Sequence, residues 1–378
     1  MSPARKGKSR APAGPTGPKR PRSSVRKPLD QRERLDRLDP DGMGARIEGF
    51  SAQLRAGGII AAEAIRHIAP HRPRRLVILG MGGSAIAGDL LRNLSDREGV
   101  VPVHVVRHYE PPSWLTPEDF LVFSSYSGET EETITAYRTL RHLGARSAVL
   151  ATGGTLAAKA RGDGIPVALM PPGLPPRAAL GYSFSTLAHI AHHVGILADA
   201  ERRLERAAVA VGRAASAWSR DVVQSRNLAK KLAIRLFGRP LLLIANQRTT
   251  EPVALRWKGQ INENSKQLAW VSALPEMNHN EVDGFVHPRG IVGRIAVVLI
   301  RDPEDHPRIG RRFDWLAAYL KRRGVLVETV TLEGDDPMVR LLWGVARGDF
   351  LSYYLAILNG EDPTLLRGVT ALKRALQA

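Results

Sequence analysis

Arg75-Leu-Val-Ile-Leu-Gly80-Met-Gly-Gly-Ser-Ala-Ile-Ala-Gly88 is the stretch on which the fold turns. A short apolar run, strand-length rather than helix-length, ends in a glycine turn. A small-residue segment follows that predicts a helix over about 84–94. Together they read as the opening of a βα unit. Gly80, Gly82 and Gly83 let backbone amides approach an anion closely, and the helix beginning at Ser84 turns its positive end toward it. The turn also matches G-x-G-x-x-A, so a dinucleotide site is one reading. That reading wants an acid after the second strand to hold a ribose. Here the second strand, 103–106, runs into Arg107 and His108.

The third strand, 120–123, turns the reading toward phosphate. It ends in Ser124-Ser-Tyr-Ser-Gly-Glu-Thr130, followed by a helix over about 129–143. Hydroxyls beside free helix-N-terminal amides make a phosphate cradle, although Ser127 or Thr130 could serve simply as that helix's N-cap. Two such turns at strand carboxyl ends favour one shared phosphate site. Helices are expected at 44–54 and 58–68, and further strands at 147–150 and 165–168. The stiff segment Pro171-Pro-Gly-Leu-Pro-Pro176 then delivers Arg177 to a helix start, where it could clamp an anion or form a surface ion pair.

A helix-rich bridge over 201–237 precedes a second βα series. Its strands are expected at 240–245, 268–271, 294–300 and 325–330, with a helix at 308–322 and closing helices at 341–358 and 363–376. In the helix after 250, Val253, Trp257 and Ile261 form the buried stripe, and Glu263 falls off it between two asparagines. Sixteen residues on, His279 lies in the loop Pro275-Glu-Met-Asn-His-Asn280. An acid, a ring that titrates near neutrality and several amides suit proton transfer. A polar turn rich in caps is the plainer alternative.

Composition narrows the classes. A chain of 378 residues suggests two domains, and its 43% apolar content is that of a globular protein. The longest apolar runs are strand-length, so no membrane span is expected. The absence of cysteine removes disulfides, thiolate metal sites and a cysteine nucleophile, and fits a cytoplasmic protein. Of the net charge of +18, nearly half lies in residues 1–30, with nine basic side chains against Asp30 alone. This Pro/Gly/Ser-rich segment is expected to be a disordered basic tail with no secretory h-region, suited at most to loose nucleic-acid contact.

Several motifs together resemble one family: Gly80-Met-Gly-Gly-Ser-Ala, Ser124-Ser-Tyr-Ser-Gly-Glu-Thr, Pro176-Arg-Ala-Ala-Leu-Gly-Tyr-Ser, Asn262-Glu-Asn-Ser-Lys, Pro275-Glu-Met-Asn-His-Asn-Glu and the terminal Leu372-Lys-Arg. From about residue 40 onward the chain resembles the bifunctional phosphoglucose/phosphomannose isomerases, cytoplasmic enzymes of two sugar-isomerase (SIS) domains. The resemblance implies an α/β fold with two SIS-type domains, each a parallel sheet flanked by helices. They would span 31–200 and, with the linker helices, 201–378. It implies a hexose 6-phosphate substrate held by Gly82, Gly83, Ser84, Ser125, Ser127 and Thr130. Glu263 would be the base that moves a proton between C1 and C2 through a cis-enediol(ate), and Arg177 would steady the charge of the intermediate. His279 would open the sugar ring from the neighbouring subunit of a homodimer, and Lys373 would assist at the ring oxygen. No cofactor or metal is implied. Mannose activity would depend on a carboxyl-terminal threonine near C2, with Thr364 and Thr370 both candidates.

Two other readings stand beside this one. SIS domains also bind phosphosugars in regulators that do no chemistry, and other SIS isomerases act on other phosphosugars. The first would need neither Glu263 nor His279, and the second would share the phosphate loops without both asparagine-rich motifs.

Overall fold

The computed structural model describes residues 28–99 and 101–377. The expectation of a disordered tail therefore lies outside the described residues up to position 27. Residues 28–30 do not belong to such a tail: Leu29 is buried in the core, and Asp30 accepts hydrogen bonds from Lys230 Nζ at 3.2 Å and Gln224 N at 2.8 Å.

Helices α1 (Arg32–Leu38), α2 (Met43–Glu48) and α3 (Phe50–Arg66) come first. The expected break near 55–57 is absent. Gly57 continues α3 because its bare backbone packs on α7 (Leu180–His193): a Cβ there would lie 2.1 Å from Ser185 Oγ. Between these helices run β1 (Leu76–Gly80), α4 (Gly82–Glu98), β2 (Val103–Val106), β3 (Phe120–Ser124), α5 (Glu131–Leu140), β4 (Arg146–Ala151), α6 (Gly154–Gly162) and β5 (Val167–Leu169). All five strands are parallel, in the order β2-β1-β3-β4-β5. β1 and β3 are buried throughout, as their continuous apolar runs require when both faces are covered.

Two linker helices follow, α8 (Ala200–Trp218) and α9 (Leu228–Leu236). The second series comprises β6 (Leu241–Asn246), α10 (Glu251–Ser265), β7 (Ala269–Leu274), α11 (Arg289–Val292), β8 (Ala296–Arg301), α12 (Pro307–Arg322), β9 (Leu326–Thr331), α13 (Pro337–Asn359) and α14 (Arg367–Gln377). Its four parallel strands take the order β7-β6-β8-β9. The first four strands of each sheet thus share one winding, with β1 equivalent to β6 and β3 to β8. In both, the chain reverses beside the first strand, so a crevice opens at the carboxyl ends of that strand and its later neighbour.

One apolar core joins the two sheets. It runs from α3, α4, α7 and α8 across the inner face of the first sheet, through α10 and α13, to the inner face of the second. Separate clusters fill the outer faces under α5 and α6 and under α12. The sequence reading made 341–358 a closing helix. The structure puts it in the centre: every residue from 338 to 358 of α13 is buried. Against it, α10 approaches closely enough that a Cβ at Gly348 would lie 2.1 Å from Trp257, whose Nε1 donates to Gly344 O at 2.7 Å. Among the described residues no helix is long and apolar enough to cross a membrane.

Candidate active site

The first crevice is assembled by close backbone approaches. Gly80 pairs with Ser124 in register, and a Cβ at Gly80 would stand 2.6 Å from Ser124 O, so only glycine lets the two strand ends close. Gly82, in the left-handed region at φ +50°, opens α4. A Cβ at Gly83 would lie 3.1 Å from Pro176 O, which seats the turn Pro176–Ala178, with Arg177, on the first turn of α4. Ser84 is buried beside Gly80.

The hydroxyl loop lies alongside. Buried Ser125 spends its Oγ on that loop, accepting from Gly128 N at 3.1 Å and Thr130 N at 3.4 Å and sharing a hydrogen bond with Thr130 Oγ1 at 2.7 Å. Exposed Ser127 accepts from Glu129 N at 3.2 Å. Neither α4 nor α5 has a side-chain cap: Thr130 occupies the N-cap position of α5 but turns its hydroxyl to Ser125 instead. Two helix N-termini thus present unsatisfied amides at adjacent strand ends, an arrangement that takes an anion. Ser124 Oγ is also buried without a partner among the described residues.

The equivalent crevice of the second sheet is already filled. There Asp305 accepts from Asn246 Nδ2 and Thr249 Oγ1, both at 2.6 Å, and from Asp302 N at 3.0 Å. A carboxylate held where an anion would bind repels another anion, so of the two windings the first is the one suited to an anion.

Arg177 links the cradle to the acid. It is 5% exposed, and its Nε stands 3.8 Å from Glu263 Oε2 on the last turn of α10, whose side chain is 38% exposed. The surface ion pair considered from sequence is therefore replaced by a buried cation beside a half-open carboxylate. Burial pushes the guanidinium's pKa down from its usual value, and Glu263 opposes that shift. Arg177 Nε donates to Asn264 Oδ1 at 2.7 Å, and Nη2 donates to Pro363 O at 2.7 Å and Thr364 O at 2.8 Å. The last contact separates the two threonines. Thr364 lies at Arg177 with its hydroxyl buried and unpartnered among the described residues, whereas Thr370 is exposed on α14.

Two of the expected residues stand apart. His279 is exposed in a short turn, Glu276–His279, beyond the carboxyl end of β7. Glu263 is tied to the other end of that strand. Its neighbour Asn262 accepts from Ala269 N at 3.0 Å and donates to Ala269 O at 3.3 Å. The six residues of β7 separate the two groups by roughly 17 Å along the strand. Lys373 is exposed on α14 and has no hydrogen bond or ion pair among the described residues. No cluster of three His, Cys, Asp or Glu side chains among the described residues could hold a metal ion.

Within one chain, then, the glycine and hydroxyl loops, Arg177, Glu263 and Thr364 come together, while His279 and Lys373 do not join them. Sequence reasoning missed Arg256, Asp349 and Ser352, which lie behind Arg177. Their only sequence signal is their polarity within apolar helices.

Two parallel sheets around a shared helical core, with an anion cradle beside the Arg177–Glu263 pair, define a protein of two SIS domains. The family of bacterial phospho-glucose isomerase C-terminal SIS domains matches residues 225–376. The bifunctional phosphoglucose/phosphomannose isomerase of Caldicellulosiruptor bescii is 36% identical over 302 residues, 80% of this chain and 89% of that one. Its namesake from Aquifex aeolicus is 31% identical over 337 residues, 88% of this chain and 97% of that one. A hypothetical protein from Thermus thermophilus shares the fold, with a TM-score of 0.71 over 92% of this chain and 93% of that one at 18% identity. The chain belongs to the bifunctional phosphoglucose/phosphomannose isomerase family.

Proposed function

We propose that the protein interconverts glucose 6-phosphate, and mannose 6-phosphate, with fructose 6-phosphate in the cytoplasm. One observation carries this reading: a half-exposed carboxylate, Glu263, lies 3.8 Å from a buried guanidinium that is seated on the phosphate cradle. Aldose–ketose isomerisation needs those three elements: a grip on the phosphate, a base beside two adjacent carbons, and a cation for the developing oxyanion.

In this reading the glycine loop (Gly82, Gly83, Ser84) and the hydroxyl loop (Ser125, Ser127, Thr130) hold the phosphate. Ser125 acts largely by shaping its loop, since its oxygen serves loop amides. Glu263 takes the proton from C2 of the open-chain aldose and returns it at C1, while the O2 hydroxyl proton passes to O1. The electron pair moves through the cis-enediol(ate), whose oxygen faces the Nη1 edge of Arg177, which makes no hydrogen bond among the described residues. The separation of His279 from Glu263 supports a homodimer in which each site receives His279 from the partner for ring opening. We assign Lys373 to the ring oxygen; its place on exposed α14 suits a site completed on assembly. Thr364, rather than Thr370, is the threonine at C2.

The test is a coupled assay on both hexose phosphates in excess chelator, with Glu263→Gln alongside. Turnover by the native protein, lost in Glu263→Gln while phosphosugar binding persists, is the expected result. Binding without turnover in the native protein would replace this reading with a sensor. A Glu263→Gln variant of normal rate would remove the assigned base.

A further inference from the structure

Arg177 is carried on a three-residue turn, Pro176–Ala178, and a long side chain on so short an element needs outside anchors. Its donors show where they are. Nε is spent on Asn264 and both Nη2 hydrogens on the carbonyls of Pro363 and Thr364. Nη1 is left without a hydrogen bond among the described residues. The main chain of Arg177 is held as well: Arg256 Nη2 donates to Arg177 O at 2.6 Å.

Both anchors lead to one turn of α13. Arg256 forms a two-pronged pair with Asp349, Nε to Oδ1 at 2.9 Å and Nη2 to Oδ2 at 2.8 Å, with both side chains buried. Asn264 Nδ2 donates to Ser352 Oγ at 2.9 Å, and Ser352 Oγ donates to Asp349 O at 2.8 Å. Arg256 and Asn264 lie on the same face of α10, eight residues apart, and Asp349 and Ser352 face them from α13 at i and i+3. Lys266 completes the frame. Its Nζ donates to Asn264 O at 3.0 Å and to Asp362 O, fixing the segment whose next two carbonyls receive Arg177.

A buried ion pair is a weak net stabiliser, because desolvation offsets most of its attraction. Its hydrogen bonds do impose direction. We propose that Asn264, together with the Arg256–Asp349 pair, positions Arg177 so that its free Nη1 edge faces the oxyanion formed when Glu263 moves the substrate proton. Asn264 fixes the guanidinium plane through Nε, and Arg256 fixes the backbone from which the side chain springs. These are positioning residues: they act through Arg177 and do not touch the phosphate loops. The inference rests on the isomerase reading above.

Because such a role is exercised in the transition state, its loss lowers kcat and leaves KM nearly unchanged. In the full-length protein, Asn264→Ala should reduce kcat for glucose 6-phosphate by about tenfold to a hundredfold, with KM altered by less than about threefold. In an Arg177→Ala background the same change should cost less than about threefold more, since its route is already cut. A purely structural Asn264 would exact the same factor in both backgrounds, and that result would overturn the inference. So would a wild-type kcat, or a rise in KM at constant kcat. If Asn264→Ala fails to fold by circular dichroism, Ser352→Ala loosens Asn264 from α13 and should show the same kcat-only loss in smaller measure; an unaltered kcat there overturns it too. Glu263→Gln separates the two levels. If it is inactive while Asn264→Ala is normal, only the positioning role fails. If it is active, the isomerase reading fails and takes this inference with it.

Discussion

Mixing two inactive variants tests whether the site spans two subunits. The structure places Glu263 at the amino end of β7 and His279 beyond its carboxyl end, roughly 17 Å apart along a rigid strand. A side chain reaches about a third of that distance, so the groups meet only if a second copy brings its His279 to the first copy's Glu263. Glu263→Gln and His279→Ala should each be inactive or slowed by about a hundredfold or more as homodimers. In a hybrid dimer one site carries both lesions and the other joins an intact Glu263 to an intact His279. Random exchange of equal amounts makes about half the dimers hybrid, so about one quarter of all sites are whole. The assay is kcat in a coupled fructose 6-phosphate measurement after exchange in mild denaturant, with native mass spectrometry following hybrid formation. Recovery to about a quarter of wild-type kcat is expected. Hybrids that form and stay inactive would show that the two residues do not cooperate across an interface.

Other outcomes follow from single contacts. Gly80→Ala puts a Cβ 2.6 Å from the backbone oxygen of Ser124; it should cost about 1–3 kcal/mol in thermal melts and raise KM by opening the cradle. Unchanged KM and melting temperature would show that the two strand ends are not in close contact. Thr364→Val keeps the side-chain shape and removes a hydroxyl that is buried without a partner among the described residues. Stability should therefore change by less than about 1 kcal/mol, while the ratio of mannose 6-phosphate to glucose 6-phosphate turnover shifts. A constant ratio would remove Thr364 from the neighbourhood of C2.

Much of the fold was legible because its signals are local. Parallel strands covered on both faces must be continuously apolar, and β1, β3, β6 and β8 are, apart from their last residues. Glycines and hydroxyls at the ends of two of them announce where an anion can lie, whatever the rest of the chain does. Glu263 at the end of a helix, off its apolar stripe, was similarly marked by periodicity. Where the reading went astray, a distant partner overruled the local cue. The gap expected between helices at 44–54 and 58–68 is continuous helix, in which Gly57 packs against Ser185. Residues 341–358 looked like a closing helix and are the buried centre of both domains.

Chemistry between near neighbours along the chain therefore settled the βα order, the glycine and hydroxyl loops and the residue types able to move a proton. Contacts between distant segments decided which of those residues lie side by side. They buried Arg177 beside Glu263 through residues 264, 363 and 364, set Thr364 rather than Thr370 against Arg177, and filled the second crevice with Asp305. They also set His279 at the far end of β7. Those outcomes are fixed by burial and hydrogen-bond direction between segments up to 187 residues apart, and no local pattern encodes them.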